Sequence, residues 1–109
     1  MFTKFCLRIH MPDNITKYSD PVQAQKMAYK YLGRKNGKIY RSTRKNKKYM
    51  IQVPNTNRWV HFGEMGYEDY TKHKDKERRR NYLIRSGKIN GNWKSDKYSP
   101  NNLSRNILW

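Results

Sequence analysis

Hydrophobic and polar positions change period several times along the chain. Over residues 2–10 they alternate, with Phe5, Leu7 and Ile9 on one face and Lys4, Arg8 and His10 on the other, which predicts a half-buried strand. Pro12-Asp13-Asn14 ends it. The spacing of Ala24, Met27, Ala28 and Tyr31 then becomes helical and predicts a short amphipathic helix over Pro21–Leu32. Its ends are marked in the sequence: Asp20 is an N-cap, Pro21 suits the first helical position, Gln23 completes a capping box and Gly33 is a stop. Residues 49–53, Tyr-Met-Ile-Gln-Val, are of strand-forming types. Pro54-Asn55-Thr56-Asn57 is turn chemistry, and residues 59–62 form a second strand closed by Gly63. The two read as a hairpin with a four-residue loop.

Beyond Gly66, residues 67–85 contain no Gly or Pro and carry seven Lys/Arg against four Asp/Glu, so one helix with a net positive polar face is expected. Gly63 and Gly66 bracket its approach, where positive φ is needed. Tyr67 and Tyr70 are expected to pack back on the hairpin, and Glu68 and Asp69 to sit at the favourable N-terminal end. Ser86-Gly87 breaks the chain and residues 88–92 are loop. A last turn starting at Ser99 or Asn101 carries Leu103, Ile107 and Leu108 at helical spacing. Trp109 is expected to dock on the domain or on a partner subunit, because an exposed Trp is a liability. The fold class expected is α+β, a small single domain. An N-terminal strand and short amphipathic helix (residues 1–33) and a basic segment (34–48) precede a hairpin, a charged helix and a C-terminal tail (49–109).

Length and composition sharpen this. A chain of 109 residues is one domain with room for a modest core. Only 35% of residues are hydrophobic, yet 14% are aromatic and nine of those rings are Tyr, whose hydroxyl stays wet while the ring is buried. The core is therefore small and aromatic, or completed by a partner. The formal net charge is +17. Self-repulsion at that charge is relieved by a polyanion, of which nucleic acid is the commonest; an anionic membrane, an acidic protein and a merely solvated basic surface are the competing readings. Cys6 has no second cysteine to pair with, which fits a reducing compartment, and it is expected to pack as a small hydrophobe. No apolar run is long enough to span a membrane, and charges interrupt the N-terminus too often for a secretory signal. A soluble intracellular protein, or a component of a particle assembled inside a cell, is expected.

Two cation clusters are candidate sites. Residues 34–48 hold eight Lys/Arg and no acid; Ile39 and Tyr40 are expected to form a short strand, and the remainder reads as a loop or arm whose ordering apolar burial does not offset. Arg34, Lys35, Arg41, Arg44, Lys45, Lys47 and Lys48 are its expected phosphate contacts. In the charged helix, Lys72, Lys76, Arg79 and Arg80 fall along one side, while Asp75 and Glu77 are expected to pair with neighbouring cations. No residue is marked as a base reader, so sequence-independent backbone binding is favoured. Tyr40, Tyr49, Trp59 and Trp93 are candidate stacking platforms for unpaired bases, against the plainer reading that these rings form the core. A metal-dependent nuclease built on His61, His73, Glu64, Asp69 and Asp75 lacks any compact ligand spacing. P-loop, GxSxG and CxxC motifs are absent. No enzyme activity, cofactor or metal is expected.

The stretches Trp59-Val60-His61-Phe62-Gly63 and Gly66-Tyr67-Glu68-Asp69-Tyr70-Thr71-Lys72-His73-Lys74-Asp75, then Asn92-Trp93 and the closing YSPNNLSRNILW of residues 98–109, resemble an uncharacterised family of small basic proteins from large nucleocytoplasmic DNA viruses. The resemblance covers residues 46–109. It implies a virus-encoded protein located in the virion interior, the host cytoplasm or the viral factory, and brings no catalytic residues. Joined to the charge, it leads to the expectation of a nucleoid-associated structural protein that binds double-stranded DNA non-specifically and helps condense the genome. Bridging DNA implies a homo-oligomer. The alternative is a minor capsid or scaffold protein that binds other virion proteins.

Overall fold

A computed structural model describes residues 15–109. The strand expected over residues 2–10 and the environment of Cys6 lie outside the described residues. Helix α1 (Ile15–Tyr18) leads into α2 (Pro21–Leu32), followed by strands β1 (Tyr40–Arg41), β2 (Lys47–Gln52) and β3 (Trp59–Glu64). Helices α3 (Tyr70–His73) and α4 (Lys76–Gly87), a 3₁₀ turn at Trp93–Ser95, helix α5 (Pro100–Leu103) and a π-helical turn at Ser104–Leu108 complete the chain. The strands form one antiparallel sheet in the order β1-β2-β3, and the class is α+β.

Local chemistry accounts for α2. Asp20 accepts from the N–H groups of Val22 and Gln23 at 3.1 and 3.3 Å, satisfying two donors that have no intrahelical partner. At the other end Gly33 takes φ 88° and donates to the Tyr29 carbonyl. Ala24 and Ala28 are fully buried, and Met27 and Tyr31 pack beside them. The sheet contributes Tyr49, Ile51, Val60 and Phe62 from its inner face. Leu103 of α5 and Ile107 and Leu108 of the π-helical turn fill the space between, since α5 packs on β3 and the π-helical turn on both β3 and α2. The tail is thus part of the core. Ser99 caps α5 by accepting from the Asn102 N–H at 3.1 Å, and the Trp109 ring stacks on Tyr82 at 4.2 Å between centroids.

Residues 34–48 are no loose arm. The Gln25 side chain donates to the Gly37 carbonyl at 2.7 Å and accepts from the Ile39 N–H at 3.1 Å. Ile39 is buried, and β1 pairs with β2 through Tyr40↔Met50 and Arg41↔Tyr49. Burial of Ile39 and the sheet hydrogen bonds supply what composition alone did not promise. β2 also begins at Lys47, two residues earlier than its hydrophobic run.

The single charged helix expected over residues 67–85 is two. Lys74 adopts a left-handed backbone at φ 55°, and Asp75 then caps α4 by accepting from the Glu77 and Arg78 N–H groups at 3.0 and 3.2 Å. Asp75 is therefore an N-cap and not a lysine's partner on a helix face. Tyr67 does not pack on the hairpin: it is 71% exposed.

Gly63 lies inside β3 at φ 84°, and a Cβ there would stand 2.8 Å from Leu108 Cδ1 and 3.2 Å from Lys48 Cβ. Gly66, at φ 97°, faces open space. Gly66→Ala is expected to carry only the left-handed backbone cost of roughly 1–2 kcal/mol. Gly63→Ala adds overpacking and is expected to lose about 2–5 kcal/mol in total. Urea denaturation of the two variants checks this; equal losses would show that Leu108 and Lys48 yield freely.

Candidate nucleic-acid interface

Antiparallel pairing puts directly opposed residues on the same face of a sheet. Tyr40, Met50 and His61 are aligned across the three strands, and Gln52 faces Trp59. These residues form the outer face, turned away from Tyr49 and Phe62. Helices that cover the core leave this face to solvent: Tyr40 is 45% and Trp59 40% exposed, and their rings meet edge to face at 5.6 Å. Lys38 Nζ lies 5.7 Å from the centre of the Tyr40 ring. A shallow groove of about 230 Å³ beside Tyr40 is lined by Lys35, Lys38, Gln52 and the hairpin turn.

Cations continue at the other end of the face. His61 Nδ1 is 2.7 Å from Ser42 Oγ, which also accepts the Arg44 N–H at 2.9 Å. The His61 pKa is lowered by partial burial and then by the charges of Arg44 and Lys47. The outer face is therefore a track: Lys35 and Lys38, then Tyr40 and Trp59, then His61 with Arg44. Lys47, opposite Glu64 and in phase with Tyr49, belongs to the other face and lines a cleft beside α4.

His61 is accordingly a pH-dependent member of the track. A folded pKa below the ordinary 6.5 means that the folded state resists protonation, so its contribution to stability is present above 6.5 and is lost as pH falls through the folded value. An anion bound at Arg44 opposes the cationic part of that bias and raises the His61 pKa. NMR titration of the His61 ring with and without an oligonucleotide is expected to show that upward shift; identical curves would place the anion elsewhere.

Among the sequence-predicted contacts, Arg34, Lys35, Arg44 and Lys45 are exposed, with Arg34 resting over Tyr29 at 4.8 Å. Lys47 is tied to Glu64 at 2.6 Å. Half-buried Arg41 donates to the Lys48 carbonyl.

Lys48 is a correction. It is 2% exposed, and its ammonium donates to the Tyr67 carbonyl at 2.6 Å, to Asp69 Oδ2 at 3.1 Å and to the Tyr18 carbonyl at 3.4 Å. All three N–H groups are used and none faces solvent, so it has no phosphate-binding capacity. Its pKa is lowered by burial, with Asp69 opposing. Asp69 belongs to a longer buried chain: Tyr49 hydroxyl donates to Ser19 Oγ at 2.7 Å, Ser19 lies 3.1 Å from Thr71 Oγ1, and Thr71 donates to Asp69 Oδ1. Because the Thr71 proton goes to Asp69, Ser19 is the donor to Thr71, and every hydroxyl points toward the carboxylate.

On the helical side Lys72, Lys76 and Arg80 are exposed, but the break at Lys74 places Lys72 on α3, off the face of α4. Arg79 is held by the Trp109 main-chain oxygen and lies 5.4 Å from the Tyr70 ring centre. Of the candidate stacking rings, Tyr49 is core, and Trp93 is half-buried with its Nε1 donating to the Ile89 carbonyl at 2.7 Å. His73 Nδ1 accepts the Asp75 N–H at 2.9 Å, on α3 and apart from His61. Among the described residues no three His, Cys, Asp or Glu side chains are grouped to hold a metal ion. None of their helices is long and apolar enough to cross a membrane.

Residues 37–86 match the model of a family of unknown function, DUF5754. The matched span contains Tyr40 and Trp59 and also Lys48 and Asp69. No curated protein and no solved structure matches the chain.

Proposed function

We propose that this protein binds nucleic acid without sequence preference, through its phosphates, and helps condense a genome. The observation that carries the reading is where the acids go. The chain has eight Asp and Glu against 25 Lys and Arg. Asp20 and Asp75 cap helices, Asp69 is buried against Lys48, and Glu64 and Glu68 pair with Lys47 and Arg78. Asp96 accepts the Tyr98 N–H at 3.0 Å. Six of the eight acids are thus engaged, while Lys35, Lys38 and Arg44 of the sheet track and Lys72, Lys76 and Arg80 of α3–α4 stay exposed on separate elements. Unneutralised cations on separate elements suit an extended polyanion and permit two strands to be bridged.

Likeness of residues 46–109 to small basic proteins of large nucleocytoplasmic DNA viruses supports a virion or viral-factory setting, with the genome as the polyanion and self-association aiding the bridge. Titration onto unrelated duplex DNA fragments at low and physiological salt tests the reading. Length-dependent, salt-sensitive binding with compaction is expected; binding that vanishes at physiological salt would overturn it.

One observation favours the second reading, a minor capsid or scaffold protein. Along α4 only Ser86 is buried, while Ile84 and Ile89 are about half exposed. A cleft of about 630 Å³ beside α4 is lined by Tyr82, Ile89, Leu108 and Trp109. A protein partner would cover these apolar atoms. Ile84→Asp and Ile89→Asp separate the readings: they leave DNA binding nearly intact if phosphate contacts carry function.

A further inference from the structure

We propose that the outer face of the sheet is a stacking site for unpaired bases, with Tyr40 and Trp59 as the platform, so that the nucleic acid held there is single-stranded. The inference rests on the nucleic-acid reading above and narrows its ligand. Duplex DNA offers a protein its phosphates and base edges, since the base faces are stacked on one another; only an unpaired strand offers faces. A site for duplex alone has no use for aromatic faces. Here two rings lie half exposed on the side of the sheet away from the core, while Tyr49 and Phe62 on the same strands are buried.

Geometry supports this ligand over a merely sticky surface. An edge-to-face pair covers one face of one ring, so Tyr40 and Trp59, with 5.6 Å between centroids, leave ring surface open. Cations stand at both ends of the pair: Lys35 and Lys38 line the groove beside Tyr40, and across the sheet the Arg44 N–H donates to Ser42 Oγ, which lies 2.7 Å from His61 Nδ1. A strand crossing the face would place bases on the rings and phosphates on these cations. An uncharged apolar partner would cover the rings but leave the flanking cations unpaired.

The test uses the full chain, an oligothymidylate and a duplex of equal length at one salt concentration, read by fluorescence anisotropy of labelled DNA and by quenching of tryptophan emission. The oligothymidylate is expected to bind more tightly and to quench. Trp59→Ala and Tyr40→Ala are each expected to weaken oligothymidylate binding roughly 5- to 100-fold, with duplex affinity held within about twofold. Trp59→Phe keeps a ring and should retain most of the affinity. Duplex binding reports that each variant is folded. If both alanine variants bind oligothymidylate as the parent does, stacking is wrong and phosphate binding stands. If the parent prefers the duplex, the single-strand inference falls alone. If the parent binds neither, both fall.

Discussion

Lys48→Met is expected to lose about 3–5 kcal/mol of folding stability. A domain of this size rarely has more than about 5–15 kcal/mol in hand, so the variant sits near its unfolding threshold, and the melting temperature is expected to fall by roughly 12–40 °C. The cause is the group left behind. Without the ammonium, the Asp69 carboxylate is fully buried with the Thr71 hydroxyl donating to it, and the Tyr18 and Tyr67 carbonyls lose a donor. Asp69→Asn is expected to cost less than Lys48→Met, because the amide oxygen still accepts a hydrogen bond. A double variant, Lys48→Met with Asp69→Leu, removes both charges and should recover part of the loss. Paired melting curves read the coupling between the two positions. A shift of only a few degrees in Lys48→Met would mean that the buried pair does not form.

That pair also shows how far residues reveal structure before folding is known. Helix α2 was legible because its signals are local: Asp20, Pro21, Gln23 and Gly33 lie within the helix or next to it. The hairpin was legible for the same reason, with Asn55 at φ 63° in its loop. Lys48 was not. It sits in a run of cations and out of phase with Tyr49 and Ile51, so alternation assigns it to the outer surface. What buries it is Asp69, twenty-one residues on, together with Gly63, which has no side chain to stand where the lysine stem passes. The break between α3 and α4 was missed because an Asp followed by Lys-Glu-Arg reads equally as helix interior and as N-cap; the left-handed Lys74 decides it. β1, Tyr40–Arg41, overlaps the short strand expected at Ile39 and Tyr40, but two residues are too few to carry a period or to mark the strand they pair with. The Tyr40–Trp59 pair exists only because β1 joins the sheet, so both residues were visible as candidates while their contact was not.

Removing Arg34, Lys35, Arg44 and Lys45 together, each as Gln, is expected to change the salt dependence of duplex binding more than any other surface change. Each phosphate contact contributes about 0.9 to the slope of log affinity against log salt. If all four make one, the slope flattens by roughly 3.6, and the fall in affinity between 50 and 200 mM salt shrinks by about two orders of magnitude. These four positions are exposed, and none holds the core, so melting temperature should be unchanged. Lys48 must stay out of the set: its substitution would weaken binding by destabilising the domain and would pass for a lost phosphate contact. A matched variant of Lys72, Lys76 and Arg80 asks whether the helical patch works independently. Additive flattening would place both patches on DNA, as bridging requires. An unchanged slope in the first variant, with the fold intact, would remove the sheet side from the duplex interface and leave its cations to another ligand.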